Sequence, residues 1–325
     1  METRRVDCAL PLGPSEIPRL APEAMTSRTQ HICVCICTYK RPQLLKRLLE
    51  ELRGQETNGL FTYSIVVADN DHLRSVESVV ADFAAASSIP IRYCVEPRQN
   101  IALARNTAVE NAKGDFVAFI DDDEFPIKRW LLTLFETCNQ YGVDGVLGPV
   151  QRHFDVAPPK WVVKGNFYER RIFPTGTVLH WKDGRTGNAL LKMRILTAGE
   201  QAFRPEFRGG EDHDFFRRMI DKGHVFIWCD EAVAYEVVPP NRWNRKFLLR
   251  RALLRGAVTL LNPTFGARDV AKSMIAVPAY TVALPFALVL GQHRFMNLLV
   301  RLCDHLGKIL ALIGINPVKG PYITD

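Results

Sequence analysis

The sequence predicts an α/β protein with a mostly parallel sheet and helices on both faces, followed by a C-terminal helical region that associates with a membrane. Two observations lead to this fold class. From His31 to Val150, short apolar runs of strand length alternate with segments of helical spacing, as in a doubly wound sheet. After residue 240, basic and apolar residues interleave, and residues 273–292 contain no charge.

The composition limits the possible classes of protein. With 325 residues, 47% hydrophobic and 24% charged, the chain can bury the core of one large domain or two smaller ones, which excludes a disordered protein. The net charge of +7 fits anionic lipid, nucleotides or nucleic acid equally well. Residues 1–30 contain scattered prolines and no apolar segment typical of a secretory signal, so we interpret them as a flexible tail.

The first strand is predicted over His31–Cys37. Three cysteines alternate along it at positions 33, 35 and 37, so their thiols point to the same face and cannot easily pair with one another. Buried thiols in a reducing compartment are therefore favoured. A zinc site is not favoured, because no second pair of ligands at zinc spacing accompanies these cysteines.

The remaining elements follow in the same alternation. They are a helix from Pro42 to Gly54, a strand over Ser64–Ala68, a helix with Val76, Val79, Val80 and Phe83 on one face, a strand over Ile91–Val95, a helix capped by Asn100, a strand over Phe116–Ile120, a helix over Trp130–Tyr141 and a strand over Gly145–Val150. Asp69 follows the second of these strands. Because ligands bind beyond the carboxyl ends of parallel strands, Asp69 is expected at the ligand-binding edge.

Four consecutive acids, Asp121 to Glu124, follow the apolar strand that ends at Ile120. Carboxylates on a strand-end loop suit a hard cation such as Mg²⁺ or Mn²⁺, which commonly takes substrate phosphate as its remaining ligands. The alternative is a solvated acidic loop, or a set of helix N-cap residues ahead of Trp130. The combination of an apolar strand with four acids favours the cation site.

A third acidic group stands at the start of a predicted amphipathic helix, where Glu211, Asp212 and Asp214 follow Gly209 and Gly210. Acids at a helix N-terminus are favoured by the helix dipole, so capping alone is the alternative interpretation. The group contains more acids than one cap requires, which favours a functional role.

Six motifs in this order resemble the family-2 inverting glycosyltransferases over about residues 31–240. The motifs are Thr38-Tyr39-Lys40-Arg41-Pro42, Val66-Val67-Ala68-Asp69-Asn70, Ala104-Arg105-Asn106, Asp121-Asp122-Asp123, Thr186-Gly187-Asn188-Ala189-Leu190 and Gly210-Glu211-Asp212. The sequences Val-Leu-Gly-Pro-Val at residues 146–150 and Val-Pro-Pro at residues 238–240 resemble those of bacterial exopolysaccharide glucosyltransferases of the succinoglycan type. The resemblance implies a GT-A-like fold with a Rossmann-type sheet.

The resemblance also implies the residues that bind the donor. Thr38 and Tyr39 would line the nucleotide pocket, and Arg105 would lie at its nucleotide edge. Asp69 would hydrogen-bond the uracil ring, although this chain has Ala68-Asp69 where the family usually has paired acids. The remaining implied contact is a loop formed by Gly187 and Asn188, which would approach the donor sugar and the acceptor.

The acids receive separate roles from the same resemblance. Asp121 would face the ribose or the metal, and Asp123 would coordinate the Mg²⁺ or Mn²⁺ that bridges the diphosphate. Asp212 matches the catalytic base. Asp122 and Glu124 rank as neighbours that shape the loop. A cation stabilises the charge that develops on the leaving diphosphate, and a carboxylate can take the proton of the attacking hydroxyl, so a single displacement would invert the anomeric configuration.

The implied reaction moves a sugar, taken as glucose, from a UDP-sugar to a lipid-linked saccharide in the synthesis of a bacterial exopolysaccharide or cell-surface glycan. Residues 31–150 would form the nucleotide-sugar-binding half, 151–240 the half with the acceptor site and the base, and 241–325 the membrane-associated region. A non-catalytic membrane-bound scaffold that retains the fold is the alternative. Replacement of Asp123 by Ala separates these cases.

The C-terminal region predicts contact with the cytoplasmic face of the bacterial inner membrane. Residues 242–255 read as a basic amphipathic helix suited to an anionic membrane surface; the alternatives are an ordinary helix with a solvated basic face, or diphosphate contacts from Arg242 or Arg251. Pro278, Pro285 and Gly291 interrupt the uncharged stretch over 273–292, which favours a re-entrant or interfacial segment over one transmembrane helix. Residues 295–313 are expected to carry a basic stripe of Arg301, His305 and Lys308.

Other classes of protein fit the sequence less well. A nucleic-acid partner is not expected, because the aromatic residues and leucines of the basic segments share helical faces that need burial. A nucleotidyltransferase should have an early Gly-rich loop followed by Lys. A phosphatase built on an aspartate nucleophile should have that residue after the first strand, which here ends in Cys37-Thr38.

Overall fold

A computed structural model describes residues 28–199, 201–207, 210–261 and 265–315. The chain divides into two compact units. The first unit comprises the chain up to Gln151 together with Arg170–Glu236, and the second comprises Arg152–Glu169 and the chain from Val237 onward. Most of the predicted flexible tail lies outside the described residues, and Gln30 already belongs to the first strand.

The elements follow the predicted alternation. Up to residue 147 they are β1 (Gln30–Thr38), α1 (Pro42–Arg53), β2 (Phe61–Asp69), α2 (Glu77–Ala86), β3 (Ile91–Val95), α3 (Ile101–Asn111), β4 (Phe116–Ile120), β5 (Glu124–Pro126), α4 (Trp130–Tyr141) and β6 (Gly145–Leu147). The rest are β7 (Val150–His153), α5 (Lys160–Gly165), β8 (Asn188–Lys192), α6 (Met193–Thr197), α7 (Glu211–Asp221), β9 (Phe226–Trp228), β10 (Ala234–Val237), α8 (Arg245–Val258), α9 (Ala267–Val289) and α10 (Gln292–Leu312). The cap predicted at Asn100 is confirmed, since its side chain accepts hydrogen bonds from the N–H groups of Ala102 and Leu103.

The main sheet has seven strands in the order β3-β2-β1-β4-β8-β6-β9. All neighbouring strands are parallel except at β8, which runs antiparallel to both β4 and β6. The prediction of a mostly parallel sheet is therefore confirmed. Strands β5, β10 and β7 form a second, smaller sheet.

The single strand predicted over Gly145–Val150 is wrong, because the structure has two strands there. Strand β6 ends at Leu147, where Gly148 passes so close to the carbonyl of Ala232 that a side chain would not fit. Pro149 follows and has no N–H to donate to a sheet. The chain then enters the smaller sheet as β7.

Two apolar cores cover the two faces of the main sheet. Ile32, Val34 and Ile36 of β1 pack into one core, which is completed mainly by α1, α2 and α4. Cys33 and Cys35 point into the other core, which includes side chains of α3, α6 and α7. Both thiols are buried and free, as predicted from the alternation along the strand. Helices on both faces thus follow from a strand that is apolar on both sides.

Close packing of two helices organises the second unit. Gly256 of α8 lies against the backbone of Asp304 in α10, and Gly307 of α10 lies against the backbone of Leu253 in α8. Neither position has room for a side chain, so the two helices approach each other backbone to backbone. An apolar cluster in the same unit contains Val162, Tyr168, Val238, Leu248 and Met296.

The basic residues of this unit differ in two places from the prediction. Helix α8 begins at Arg245, and Arg242 is buried in the turn before it, where its carbonyl accepts the hydroxyl hydrogen of Tyr168. The basic amphipathic helix predicted over residues 242–255 therefore begins later, at Arg245, and Arg242 does not belong to its basic face. The basic stripe on α10 is also wrong, because His305 is buried and its Nδ1 lies 2.9 Å from the hydroxyl of Ser273.

Most of the uncharged stretch belongs to one continuous helix, α9, which passes through Pro278 and Pro285 and ends before Gly291, the expected break that is confirmed. The expected interruption by these prolines is thus absent from α9, although each proline removes one backbone donor from the helix. Within the part of the chain that the structure describes, α9 is the one helix long and apolar enough to cross a membrane. Much of its apolar surface is exposed, and the side chains of Ile275, Val282, Phe286 and Val289 lie on one helical face with exposed fractions of 71%, 69%, 69% and 88%.

Candidate functional site

The sheet topology of the first unit brings polar loops to one edge. Strands β1, β2 and β4 are parallel, so the segments after Thr38, Asp69 and Ile120 leave the sheet at the same side. Strand β8 is antiparallel to β4, with Asn188 paired opposite Ile120, so the residues before Asn188 meet the acidic loop after Ile120. The edge therefore collects the predicted site residues from distant parts of the sequence.

Asp122 is buried and holds the acidic loop to the end of β1. Its Oδ2 accepts the hydroxyl hydrogen of Thr38 at 2.7 Å, and its Oδ1 accepts from Nη1 of Arg41 at 3.0 Å. Burial raises the pKa of Asp122, and the positive charge of Arg41 opposes that rise. The geometry is consistent with the expectation that Asp122 shapes the loop, and it shows that the hydroxyl of Thr38 contributes to this contact.

The two acids predicted as metal ligands have different surroundings. The side chain of Asp121 is 42% exposed, whereas that of Asp123 is 10% exposed. Nη1 of Arg41 lies 3.4 Å from Oδ2 of Asp123. Asp121 is thus the more accessible of the pair to a ligand, and Asp123 shares the positive charge of Arg41 with Asp122.

Glu124 was expected only to shape the acidic loop, but its carboxylate lies next to Asp121. One of its oxygens accepts the N–H of Asp121 at 3.2 Å, and the other, Oε1, is buried without a hydrogen-bond partner among the described residues. Burial, followed by the charge of Asp121, raises the pKa of Glu124 well above its ordinary value. A buried carboxylate oxygen without a donor is a position at which a cation would be stabilised.

Gly187 leaves the space next to these oxygens open. A Cβ atom at this position would lie 2.8 Å from Oε1 of Glu124 and 3.1 Å from Oδ2 of Asp121. The two oxygens therefore converge on the point that the missing side chain of Gly187 leaves empty.

We expect Gly187→Ala to impair the site without unfolding the protein. The added methyl group would push the carboxylates of Asp121 and Glu124 apart, since a Cβ atom does not approach oxygen to 2.8 Å. Transfer activity should fall about tenfold or more, because a displacement of about 1 Å in an active site can cost 10²-fold. Activity assays and thermal unfolding would be compared with Gly54→Ala, a glycine outside the site with a φ of −96° and room for a methyl group. Equal activity in Gly187→Ala and the wild type would contradict the expectation.

Arg105 connects the acidic loop to the Glu-Asp motif at the start of α7. Its Nη1 donates to Oε1 of Glu211, and its Nη2 lies 3.6 Å from Oδ1 of Asp121. The guanidinium is buried, which alone would lower its pKa, but Glu211 and Asp121 outweigh burial and raise the pKa above its ordinary value. Arg105 therefore stays positively charged and bridges two acids from opposite parts of the sequence.

Asp212 is partly exposed at the first turn of α7, beside the buried Glu211. Its Oδ1 accepts the N–H of His213 at 2.8 Å. By contrast, the neighbouring Asp214 is buried and contacts Arg217 and Arg218, so it has a structural role in the helix. Of the three acids in this turn, Asp212 is the one that combines exposure with a position next to the bridging pair.

The predicted nucleotide contacts are less direct. Asp69 is 0% exposed, and its two oxygens accept from the N–H groups of Asp71 and Val76 and from the hydroxyl of Tyr93 at 3.0, 3.2 and 2.8 Å. A hydrogen bond from the N–H of a uracil ring to the carboxylate of Asp69 would therefore require this loop to rearrange. Tyr39 is partly exposed beside the end of β1, with Nζ of Lys40 5.1 Å from the centre of its ring.

Asn188 is buried and its carboxamide makes three structural hydrogen bonds. The Nδ2 group donates to the carbonyls of Pro149 and Ala232, and Oδ1 accepts from the indole of Trp130 at 2.7 Å. The side chain thus fixes β8 between its neighbours and leaves Gly187 as the member of the predicted pair that faces the acidic oxygens.

The carboxylate oxygens of the acidic loop are suitable ligands for a divalent cation that also binds substrate. No group of three metal-ligating side chains is preassembled among the described residues. However, Mg²⁺ and related ions are commonly held by one or two carboxylates with phosphate oxygens as further ligands. Asp121, Asp123 and Glu124 provide hard oxygen atoms, and the unpartnered Oε1 of Glu124 marks the place where one is still unsatisfied.

The sequence-based site omitted Glu124 and Glu211. Both are buried, both have an oxygen without a hydrogen-bond partner in the described structure, and both contact residues that the sequence did identify. The available signal was their position inside the two acidic motifs. What the sequence could not give is the direction of each side chain within a run of acids.

The family model described as "Glycosyl transferase family 2" matches residues 33–196. The chain is 32% identical to the succinoglycan biosynthesis protein ExoM of Rhizobium meliloti, over 91% of this chain and 97% of the relative. It is 23% identical to a chondroitin synthase of Escherichia coli over 66% of this chain, which corresponds to 35% of that longer protein.

Solved structures support the fold. A mannosyltransferase from Pyrobaculum calidifontis, solved with GDP-Man and Mn²⁺, superposes with a TM-score of 0.57 at 18% identity, covering 87% of this chain and 88% of the other. The S. aureus TarS 1-349 fragment, solved with UDP-GlcNAc, gives a TM-score of 0.50 at 15% identity, covering 88% of this chain and 92% of the other. These similarities confirm the predicted GT-A-like fold.

Proposed function

Since the chain belongs to glycosyl transferase family 2 and is a glycosyltransferase, we propose that it moves glucose from UDP-glucose to a lipid-linked saccharide with inversion at the anomeric carbon. The product would be part of a bacterial exopolysaccharide or cell-surface glycan. The observation that carries the proposal is the bridge from Asp121 through Arg105 to Glu211, because it joins the acidic loop and the Glu-Asp motif in one site.

The relatives support the class of substrate. The similarity to ExoM extends over nearly the whole of both chains, and that protein is named for succinoglycan biosynthesis. The structures with the same fold were solved with sugar nucleotides, GDP-Man in one and UDP-GlcNAc in the other. A nucleotide-sugar donor and a polysaccharide product are therefore the substrates that we assign to this site.

The proposed transfer is a single displacement. The hydroxyl oxygen of the acceptor forms a bond to the anomeric carbon while the bond from that carbon to the diphosphate oxygen breaks. The proton of the hydroxyl passes to the carboxylate of Asp212, which is partly exposed and so can reach an acceptor. Arg105 holds Glu211, the residue before this base, at a fixed position relative to the acidic loop.

A divalent cation, Mg²⁺ or Mn²⁺, would be held by Asp121 and Asp123, with Glu124 beside them. When bound, it would stabilise the negative charge of the departing diphosphate without a proton transfer. In the proposed site Tyr39 and Thr38 lie along the nucleotide, and Asp69 supports the loop that borders the uracil ring. Gly187 keeps the space beside the carboxylates open.

A panel of labelled UDP-sugars tests the proposal. Membranes containing the protein would be incubated with each sugar nucleotide in the presence of Mn²⁺ or of EDTA, and the label in the lipid extract would be measured. We expect incorporation from UDP-glucose with Mn²⁺ and its loss with EDTA. Incorporation from a different sugar nucleotide would overturn the assignment of glucose. Incorporation that persists in EDTA would overturn the proposed requirement for a divalent cation. Membership of an enzyme family already favours transfer over the scaffold alternative.

We further propose that the second unit docks to an anionic membrane surface on the cytoplasmic side. The exposed apolar face of α9 is suited to burial among lipid chains, and α8 in the same unit carries several basic residues. Contact with a membrane would bring the enzyme to a lipid-linked acceptor. Both a peripheral position of α9 and a single transmembrane segment are compatible with its length of 23 residues.

Substitution of the apolar face should release the protein from lipid. In Ile275→Glu/Phe286→Glu, co-sedimentation with phosphatidylglycerol vesicles should fall about tenfold or more, because burial of one such side chain is worth ~1.5–3 kcal/mol. The matched control is Leu60→Glu/Leu73→Glu, which places two acids at exposed apolar positions of the first unit. Equal binding of the α9 variant and this control would contradict docking through α9.

A further inference from the structure

A pocket in the first unit, separate from the acidic centre, is lined by three arginines and two aromatic residues. Its lining includes Arg170, Arg171, Arg185, Phe173 and Trp228. The lining contains one acid, Asp183, so three positive charges face a single negative one. The net charge of the pocket is therefore positive, opposite in sign to the acidic loop.

The three arginines are held differently. Arg170 is mostly buried and paired with Glu236, which lies opposite Glu124 in the register of β10 and β5. The Arg171 side chain is 70% exposed and lies 3.3 Å from Asp183. An ion pair this exposed is weak, so Arg171 can reorient toward a ligand at little cost. Arg185 is also exposed.

The aromatic residues give the pocket a second chemical character. Phe173 is partly exposed, and its ring contacts the edge of the Trp228 ring with centroids 5.4 Å apart. The guanidinium of Arg171 lies 5.0 Å from the centre of the Phe173 ring. An aromatic surface can pack against the apolar face of a sugar ring, while arginines bind phosphate or carboxylate. The combination fits a saccharide that carries an anionic group.

The pocket lies beside the transfer site. Asn188 contributes to its lining, and the preceding Gly187 adjoins the carboxylates of Asp121 and Glu124. Asp183 belongs to a turn whose Trp181 ring is 6.4 Å from the ring of His213, the residue after Asp212. A molecule in the pocket would thus lie beside the acidic loop, and the turn that contains Asp183 leads from the pocket toward the start of α7.

We propose that this pocket binds the acceptor through an anionic group next to a sugar ring, with Arg171 and Arg185 as specificity-determining residues. The proposal rests on the proposed glycosyl transfer and adds the chemistry of its acceptor. The anionic group has two possible sources, the diphosphate of a lipid carrier or the carboxylate of an acidic sugar. Both present the oxygen pairs that guanidinium groups bind in bidentate fashion.

Three synthetic acceptors distinguish the sources. They share one saccharide and carry an alkyl diphosphate, a neutral alkyl group, or a neutral alkyl group with a terminal uronic acid. For the wild type we expect a KM for one charged acceptor about tenfold or more below that for the neutral one, as expected for charge-assisted hydrogen bonds. The charged acceptor that shows this difference identifies the source. Equal KM values for all three would overturn the proposal.

The variant Arg171→Gln/Arg185→Gln assigns the effect to the pocket. Its KM for the preferred charged acceptor should rise about tenfold or more, while its KM for the neutral acceptor and its hydrolysis of UDP-sugar without acceptor stay unchanged. Arg92→Gln, at an exposed position on β3, is the matched control. An equal rise with charged and neutral acceptors would show a general structural effect and overturn the assignment.

Direct binding separates this proposal from the proposed function. Calorimetric titration of the UDP-saturated protein with the saccharide alkyl diphosphate and with the uronic acid acceptor needs no turnover. Binding of one of them that is lost in Arg171→Gln/Arg185→Gln would support the pocket even if no UDP-sugar were consumed. Displacement of UDP, or undiminished binding to the variant, would overturn it. Turnover of UDP-sugar without such binding would support the proposed function but overturn the proposal that this pocket binds the acceptor.

Discussion

The variant Asp212→Asn is expected to lower kcat by about 10³-fold while UDP-sugar still binds. Asn has nearly the same shape but cannot accept the proton of the acceptor hydroxyl, and general-base catalysis contributes about 10²–10⁴-fold. The carboxylate of Asp212 is partly exposed and sits in the first turn of α7. Steady-state transfer rates with Mn²⁺ measure the effect, and thermal stabilisation by UDP-sugar verifies that the donor site is intact.

The control for this prediction lies on the same helix. Asp221 is the last residue of α7 and its side chain is 63% exposed, so Asp221→Asn removes one charge from α7 at a distance from the site. Its kcat should match that of the wild type. A transfer rate in Asp212→Asn within threefold of this control would assign the proton to a different group, and Glu211 would then be the nearest candidate.

The second large effect is expected from Asp123→Ala. Loss of this carboxylate should lower the transfer rate by about 10²-fold or more. The substitution removes a ligand of the cation whose positive charge stabilises the leaving diphosphate. Mn²⁺ binding, followed by electron paramagnetic resonance of the free ion, should weaken in parallel. Circular dichroism and thermal unfolding would verify that the variant stays folded, which we expect because Arg41 also contacts Asp122.

Asp82→Ala provides the comparison for the metal experiment. This acid is exposed on α2, outside the ligand-binding edge, and its loss changes the net charge by the same amount. Its Mn²⁺ affinity and transfer rate should stay at the wild-type level. If Asp123→Ala transferred sugar at an undiminished rate, the metal role of this residue would be wrong, and Asp121 with Glu124 would remain as the candidate ligands.

Local patterns predicted most of the first five strands and helices, because those elements carry their own signals. The strands over Ile91–Val95 and Phe116–Ile120 have the predicted bounds, one helix begins at Pro42 as predicted, and another begins directly after its cap Asn100. The antiparallel insertion of β8 between β4 and β6 was not predicted. Strand order depends on pairing between distant segments, which periodicity along the chain does not record.

Within the site, residue types were easier to predict than their contacts. The acidic loop and the Glu-Asp motif were found because several acids follow a strand or begin a helix. The engagement of Asp69 and Asn188 in structural hydrogen bonds could not be seen, since it depends on the N–H, carbonyl and indole groups that surround them. The bridge could not be seen either, because Arg105 and its partner Glu211 are 106 positions apart in the chain.

The pairing of β8 has a consequence for how the protein is made. During synthesis, β1 to β4 can assemble as soon as they emerge, but the open edge of β4 receives its partner only when Asn188–Lys192 has left the ribosome. An apolar strand with an unpaired edge is prone to pair with other chains. We therefore expect the half-finished sheet to be open to pairing with other chains during synthesis, until β8 covers that edge and delivers Gly187 to the acidic loop.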